Sequence, residues 1–122
     1  PLNEYVNMLT EVGFGTIEIR ARRPYRILDP KHYPTEESIF IESVEVCAIK
    51  DPMQEDGPCV FTGKSAIYYG NEDYFDDGLG HTLLKNQPLA ICDKTAGALK
   101  ALGRDDIFFS ESTYHYDGGG CC

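Results

Sequence analysis

The residues best suited to chemistry in this sequence are five cysteines: Cys47, Cys59, Cys92, Cys121 and Cys122. Their number is odd and their spacing irregular, which does not fit the even, closely set cysteines of a disulfide-stapled secreted domain. Reduced thiols in a cytoplasmic setting are the expectation. Cys121 and Cys122 close the chain behind Gly118, Gly119 and Gly120, a run that predicts a limber arm carrying adjacent sulfurs. Thiolates are soft donors and select thiophilic ions such as trivalent arsenic over Mg²⁺ or Ca²⁺. The tail supplies at most two sulfurs, so Cys59 or Cys92 is the candidate third donor if the fold brings either one near. His115, six residues before Cys121, is a weaker candidate, because an imidazole between Tyr114 and Tyr116 also suits a strand or interface. A terminal tail without function is the competing reading of the Cys121–Cys122 pair. Cys47, inside an apolar run, reads as a small buried hydrophobe. His32 and His81 show no sequence partner.

Other catalytic signatures are absent. No Gly-rich phosphate loop follows a strand, and there is no Gly-x-Ser-x-Gly, His-Glu-x-x-His or Cys-x-x-Cys. The paired acids Glu36–Glu37, Asp76–Asp77 and Asp105–Asp106 read as solvated loops. Asp73, Asp76 and Asp77 lack the spacing and distal Glu of a calcium-binding loop. A net charge of −9 and an isoelectric point near 4.6 argue against nucleic acid as partner, since phosphate contacts depend on Lys and Arg. The local exception, Arg20, Arg22, Arg23 and Arg26, reads as a strand edge or a contact to an acidic neighbour. No run of apolar residues is long enough for a membrane span.

The elements that must position these thiols follow from periodicity. Leu2, Tyr5, Val6, Leu9 and Val12 recur at helical spacing, with Asn3 near the N-cap and Gly13 as the left-handed terminator. Residues 16–21 alternate and predict a half-buried strand. A lone helix and strand cannot cover their apolar faces, so both are expected to belong to a sheet continued elsewhere. Residues 24–37, with Pro24, Pro30 and Pro34, predict a loop. Residues 39–49 predict a long strand with a bulge, covered on both faces over part of its length. After a loop at 51–58 come a strand at 64–69 and an acidic turn region at 71–80. A strand pair at 81–84 and 89–92 brackets a turn at 85–88. Asp93 is the expected N-cap of a helix to Leu102, with Ala98, Leu99, Ala101 and Leu102 on its inner face and Gly103 as its end. A last strand covers 107–110. The fold class is α+β: a mostly antiparallel sheet with two short helices grouped on one side.

Several segments together resemble a family. The stretch Cys59-Val60-Phe61-Thr62-Gly63-Lys64-Ser65-Ala66-Ile67-Tyr68-Tyr69-Gly70 resembles the Cys–Gly–Ala-x-Tyr-x-Gly segment of arsenite methyltransferases. Ile91-Cys92-Asp93-Lys94-Thr95-Ala96 is similar to their apolar-Cys-Gly-Asn-Thr-Ala stretch, and Thr113 through Cys121 to their closing His-Tyr-Gly and Cys segment. The opening, Tyr5 to Ile19 with Gly13-Phe14, resembles the last helix and strand of a class I methyltransferase cofactor domain. All four pieces occur in the family's order and span nearly the whole chain.

The resemblance implies that residues 1–23 are the terminal helix and strand of a truncated S-adenosylmethionine-binding domain, and that 24–122 form the C-terminal domain with its Gly-Cys tail. It implies S-adenosylmethionine as cofactor of the full-length protein, held by an upstream domain as partner, with none bound by this portion alone. It also implies a thiophilic, arsenite-like substrate. The cysteines the family credits with holding arsenic would lie before Pro1, which predicts a chain that continues upstream. At Val60, Phe61 and Thr62 the sequence departs from the family's common Glu, Asp and Tyr, so a related methyltransferase with another acceptor is an alternative. Two further alternatives stand beside it: a thiol-based metalloid-binding module and a purely structural packing domain.

Overall fold

The computed structural model describes residues 1–115, and Tyr116 through Cys122 lie outside the described residues. The chain opens with helix α1 (Leu2–Glu11) and continues through strands β1 (Thr16–Leu28), β2 (Ile39–Ile49), β3 (Cys59–Phe61), β4 (Lys64–Tyr68), β5 (Tyr74–Asp76), β6 (Thr82–Leu84) and β7 (Pro88–Ile91). Helix α2 (Asp93–Ala101) and strand β8 (Ile107–Phe109) complete it. Among the described residues this is an α+β fold, with strands that pair mostly antiparallel. The strands do not form one sheet but three small ones, ordered β2-β1-β3, β7-β4-β8 and β5-β6.

α1 is capped by Pro1 and not by Asn3, and it ends as expected at Gly13, whose φ of +97° suits glycine. None of its residues is fully buried; Tyr5, Met8 and Val12 are exposed. An amphipathic helix gains most of its stability from packing one face, and here that face is only partly covered.

β1 extends well beyond the expected residue 21. Its first part lies between β2, antiparallel, and β3, parallel, which buries Ile17, Glu18 and Ile19 together rather than in alternation. Beyond Glu18 it has a ladder on one side only. Register shifts between Ile19 and Ala21 and between Pro24 and Arg26 leave Arg20 and Tyr25 as extra residues. The second shift accommodates Pro24, which has no N–H to give a ladder. Residues 24–28 are therefore strand, not loop. The division expected at residue 23 falls inside this strand. β2 is an edge strand with most of its side chains exposed, and partial cover on both faces is confined to Val46, Cys47 and Ala48; the bulges sit in β1 instead.

The main core joins Ala66, Tyr68, Leu83, Ile91, Ala96, Leu99 and Ile107, from β4, β6, β7, α2 and β8. A second cluster joins Cys59, Phe61 and Cys92. β6 and β7 do not pair with each other as expected: β6 pairs with β5 and β7 with β4. The chain between them is pulled across by hydrogen bonds from the Lys85 and Asn86 amides to the Asp73 and Tyr68 carbonyls, at 2.9 and 2.7 Å. Asn86, at φ +61°, makes the turn in a conformation Asn tolerates better than most residues. Cys92, not Asp93, is the N-cap of α2. The helix buries Thr95, Ala96 and Leu99, while Ala98, Ala101 and Leu102 face outward. The inner face is thus Thr95, Ala96 and Leu99, and β3 and β4 are strands that pack against the helix.

Candidate functional site: a buried cysteine pair at the start of helix α2

β3 is three residues long, and period-2 alternation sends Cys59 and Phe61 inward while Val60 faces a cleft. On the other side, β7 delivers Cys92 to the first turn of α2, with φ −76° and ψ 167°, the extended conformation of an N-cap residue. Cys59 and Cys92, thirty-three positions apart, meet in one buried cluster with Phe61. Their relative exposures are 2% and 0%. Cys92 sits at the N-terminal end of α2, where the helix dipole is positive.

Lys94 bridges this pair to the surface. Its ammonium donates to Asp56 Oδ1 at 2.6 Å, Gly57 O at 2.8 Å and Gln54 Oε1 at 3.2 Å, tying the 54–57 turn to α2. Burial works against the charged ammonium. The hydrogen bond to Asp56 and the fields of Cys59, Asp56 and Cys92 more than offset that, holding the Lys94 pKa above the usual lysine value. Asp56 is correspondingly held below the usual carboxylate value by its hydrogen bond from Lys94.

Lys94 also separates two clefts. The first, about 330 Å³, lies between α1, β1 and the start of α2, and its lining includes Val6, Arg22, Val60, Thr62, Asp93 and Tyr114. Both helices line this cleft. Thr62 Oγ1 is 2.9 Å from Ser112 Oγ, and Lys64 pairs with Asp93 at 3.1 Å on its rim. Arg22 is held by Glu42 at 2.6 Å and donates to the Tyr114 hydroxyl at 3.3 Å. The arginine cluster is therefore partly neutralised: Arg20 pairs with Glu18 at 2.7 Å, Arg22 with Glu42. The second cleft, about 310 Å³, is lined by Gln54, Asp56, His81, Lys94, Thr95 and their neighbours.

Of the sequence-predicted residues, Cys59 and Cys92 come together. Cys121 and Cys122 lie outside the described residues. His115 is exposed, its backbone packed near Gly63, and it is not in the cysteine cluster. Cys47 is half-buried on β2. Among the described residues no group of three or more His, Cys, Asp or Glu side chains converges as a metal site. The pair can therefore offer two sulfurs to a thiophilic group, and any further donor has to come from outside this cluster.

Sequence reasoning missed His81. It is partnered after all: Nδ1 lies 2.5 Å from Asp77 Oδ2, and Asp77 is nearly inaccessible, with a side-chain exposure of 3%. Asp77 also accepts from the Leu79 and His81 amides, at 2.8 and 3.1 Å. Burial would raise its pKa, but these hydrogen bonds outweigh burial and leave it below the ordinary carboxylate value. The available signal was the Asp77-Gly-x-Gly-His81 spacing, in which two glycines let the loop fold the carboxylate back onto the ring. No helix among the described residues is long and apolar enough to cross a membrane. Neither a family model nor a curated protein matches this sequence.

Proposed function

We propose that this chain is the substrate-side, C-terminal portion of an S-adenosylmethionine-dependent methyltransferase whose acceptor is arsenite or a related thiophilic species. The observation that carries the reading is the meeting of Cys59 and Cys92 in one buried cluster beside the helix N-terminus of α2. The two cysteines lie in two of the segments that resemble arsenite methyltransferases, and thiolate sulfur is the donor that a soft ion selects. The incomplete cover of α1 supports the second half of the reading. An amphipathic helix with no fully buried residue fits an element that packs against a further domain. That domain would supply the cofactor; this portion would hold or hand over the acceptor.

The role of the chain's own residues follows from their placement. Cys59 and Cys92 bind the acceptor through sulfur. Lys94 ties the 54–57 turn to α2 beside them. Val60, Asp93 and Lys94, the near neighbours of the pair along the chain, line the cleft between α1 and α2. Arsenite titrated into the chain should bind with the absorbance of arsenic–sulfur bonds. Cys59→Ser or Cys92→Ser should abolish that signal, and Cys121→Ser/Cys122→Ser should weaken it if the tail supplies a third sulfur. Undiminished binding after loss of both Cys59 and Cys92 removes the pair from the mechanism. The methyltransferase assignment is tested separately, by assaying the full-length protein for methyl transfer from S-adenosylmethionine to arsenite.

A further inference from the structure

Asp77, His81, Thr95 and Cys92 stand in a line. Asp77 Oδ2 is 2.5 Å from His81 Nδ1; His81 Nε2 is 3.5 Å from Thr95 Oγ1; Thr95 Oγ1 is 3.3 Å from Cys92 Sγ. Thr95 is buried, the Asp77 side chain is 3% exposed, and the His81 side chain is 16% exposed, at the wall of the second cleft. These groups come from three places in the chain: the turn before β6, the first turn of α2 and its N-cap. None of the three is needed to explain the packing of the main core.

We propose that Thr95, His81 and Asp77 are positioning residues for Cys92, forming a one-directional hydrogen-bond relay that removes the thiol proton when its sulfur bonds to a soft electrophile. The inference rests on Cys92 being a working thiol, as proposed above, and names the groups that serve it. The direction follows from the carboxylate. Asp77 accepts only, so His81 gives it the Nδ1–H and is left with Nε2 as an acceptor. Thr95 then donates its hydroxyl proton to Nε2, and its oxygen accepts from the Cys92 S–H. When Cys92 attacks an electrophile E–X, the S–E bond forms and the E–X bond breaks, with X leaving as the anion. The thiol proton passes to Thr95 as Thr95 passes its own to Nε2, and Asp77 stabilises the resulting imidazolium. An arsenite hydroxyl leaving in this way departs as water once it takes up that proton. The remaining polar groups on this cleft, Gln54, Asp56 and Lys94, are bound to one another and leave the relay to His81.

The test needs no arsenic. In the parent protein, ¹⁵N–¹H spectra should show His81 as the Nδ1–H tautomer with Nε2 unprotonated, and Thr95→Val should move the Nε2 resonance. Methyl methanethiosulfonate then reports the step itself: the sulfur gains the methylthio group and methanesulfinate leaves. Peptide mass spectrometry reads the rates at Cys92 and Cys59 separately. Thr95→Val and His81→Gln should slow Cys92 by roughly 10²-fold, the lower range for positioned proton transfer, with Cys59 unaffected. Thr95→Ser, which keeps the hydroxyl, should restore the rate. An Nε2–H tautomer overturns the proposal. So does an unchanged Cys92 rate in Thr95→Val, or an equal loss at Cys59 and Cys92, which marks a change in opening of the fold. Failure here leaves arsenite capture to its own titration.

Discussion

Replacing Gly63 with alanine should detach the last described segment of the chain while leaving both core clusters in place. Gly63 sits between β3 and β4 at φ +84°, and a Cβ built there would lie 2.7 Å from both the amide nitrogen and the carbonyl oxygen of His115. These are backbone atoms and cannot swing aside as a flexible side chain would. An alanine in the left-handed region is strained by roughly 1 kcal/mol. To relieve the clash, residues 112–115 must move, giving up the bonds from Thr113 Oγ1 to Gly63 O and from the Tyr114 amide to Thr62 O, both 2.8 Å. At about 1 kcal/mol each, the total loss is about 3 kcal/mol. For a domain of this size that lowers Tm by roughly 10 °C. Urea unfolding gives the energy, and amide exchange gives its place: the Tyr114 amide should lose protection while Leu99 and Ile91 keep theirs relative to global stability. Retained protection at Tyr114 with an unchanged urea midpoint would refute the argument from close approach.

Other expected outcomes are as follows. Leu99→Ala removes a side chain that is 1% exposed and ties α2 to the main core; urea unfolding should show a loss of about 3 kcal/mol, and loss of thiol protection at Cys92 should accompany it. The Asp77 carboxyl is held below its ordinary value in the fold, so between that lowered pKa and the unfolded value near 4 the unfolded chain binds more protons. Its contribution is present at neutral pH and lost as pH falls through this window. Asp77→Asn should therefore flatten the acid limb of a stability-versus-pH curve. The Arg22–Glu42 pair is solvent-exposed, so Glu42→Gln should leave the urea midpoint unchanged while loosening Tyr114, read by its amide exchange. Lys94→Met should free the 54–57 turn from α2 and raise the labelling rates of Cys59 and Cys92 together, because one ammonium holds three acceptors across the site.

Much of the fold was legible because local signals and tertiary packing agreed. α1, β2, β4, α2 and β8 stand within a residue or two of where periodicity and turn chemistry put them. The failures share a cause. Pro24 reads as a loop signal, yet beyond Glu18 β1 carries a ladder on one side only and a bulge absorbs the missing donor. β3 is too short to register against its Pro-Gly surroundings, and it forms because the parallel ladder to Thr16, Ile17 and Glu18 is available. β6 and β7 look like a hairpin because a short polar turn joins them, but Tyr68 and Asp73 capture that turn's amides first. On α2, helical spacing alone could not say which stripe faces inward; the position of β3 and β4 decided that Thr95 and Ala96 are inside and Ala101 and Leu102 are not.

By itself, the sequence determined the thiol content, the acidic surface, the α+β class and the elements long enough to have a period. It also singled out Cys59 and Cys92, from residue type and family resemblance. Only the tertiary structure decided that these two residues share one buried cluster, that Lys94 ties the 54–57 turn to α2, and that His81 has Asp77 and Thr95 as partners. The physical reason is range. Periodicity and capping act over a few residues, whereas the Cys59–Cys92 cluster, the Lys94 bonds and the His81–Thr95 contact join positions from fourteen to forty apart, the Asp77–His81 bond alone being local. Such contacts form only when parallel and antiparallel ladders, and the burial of Phe61 and Leu99, have fixed where each segment lies.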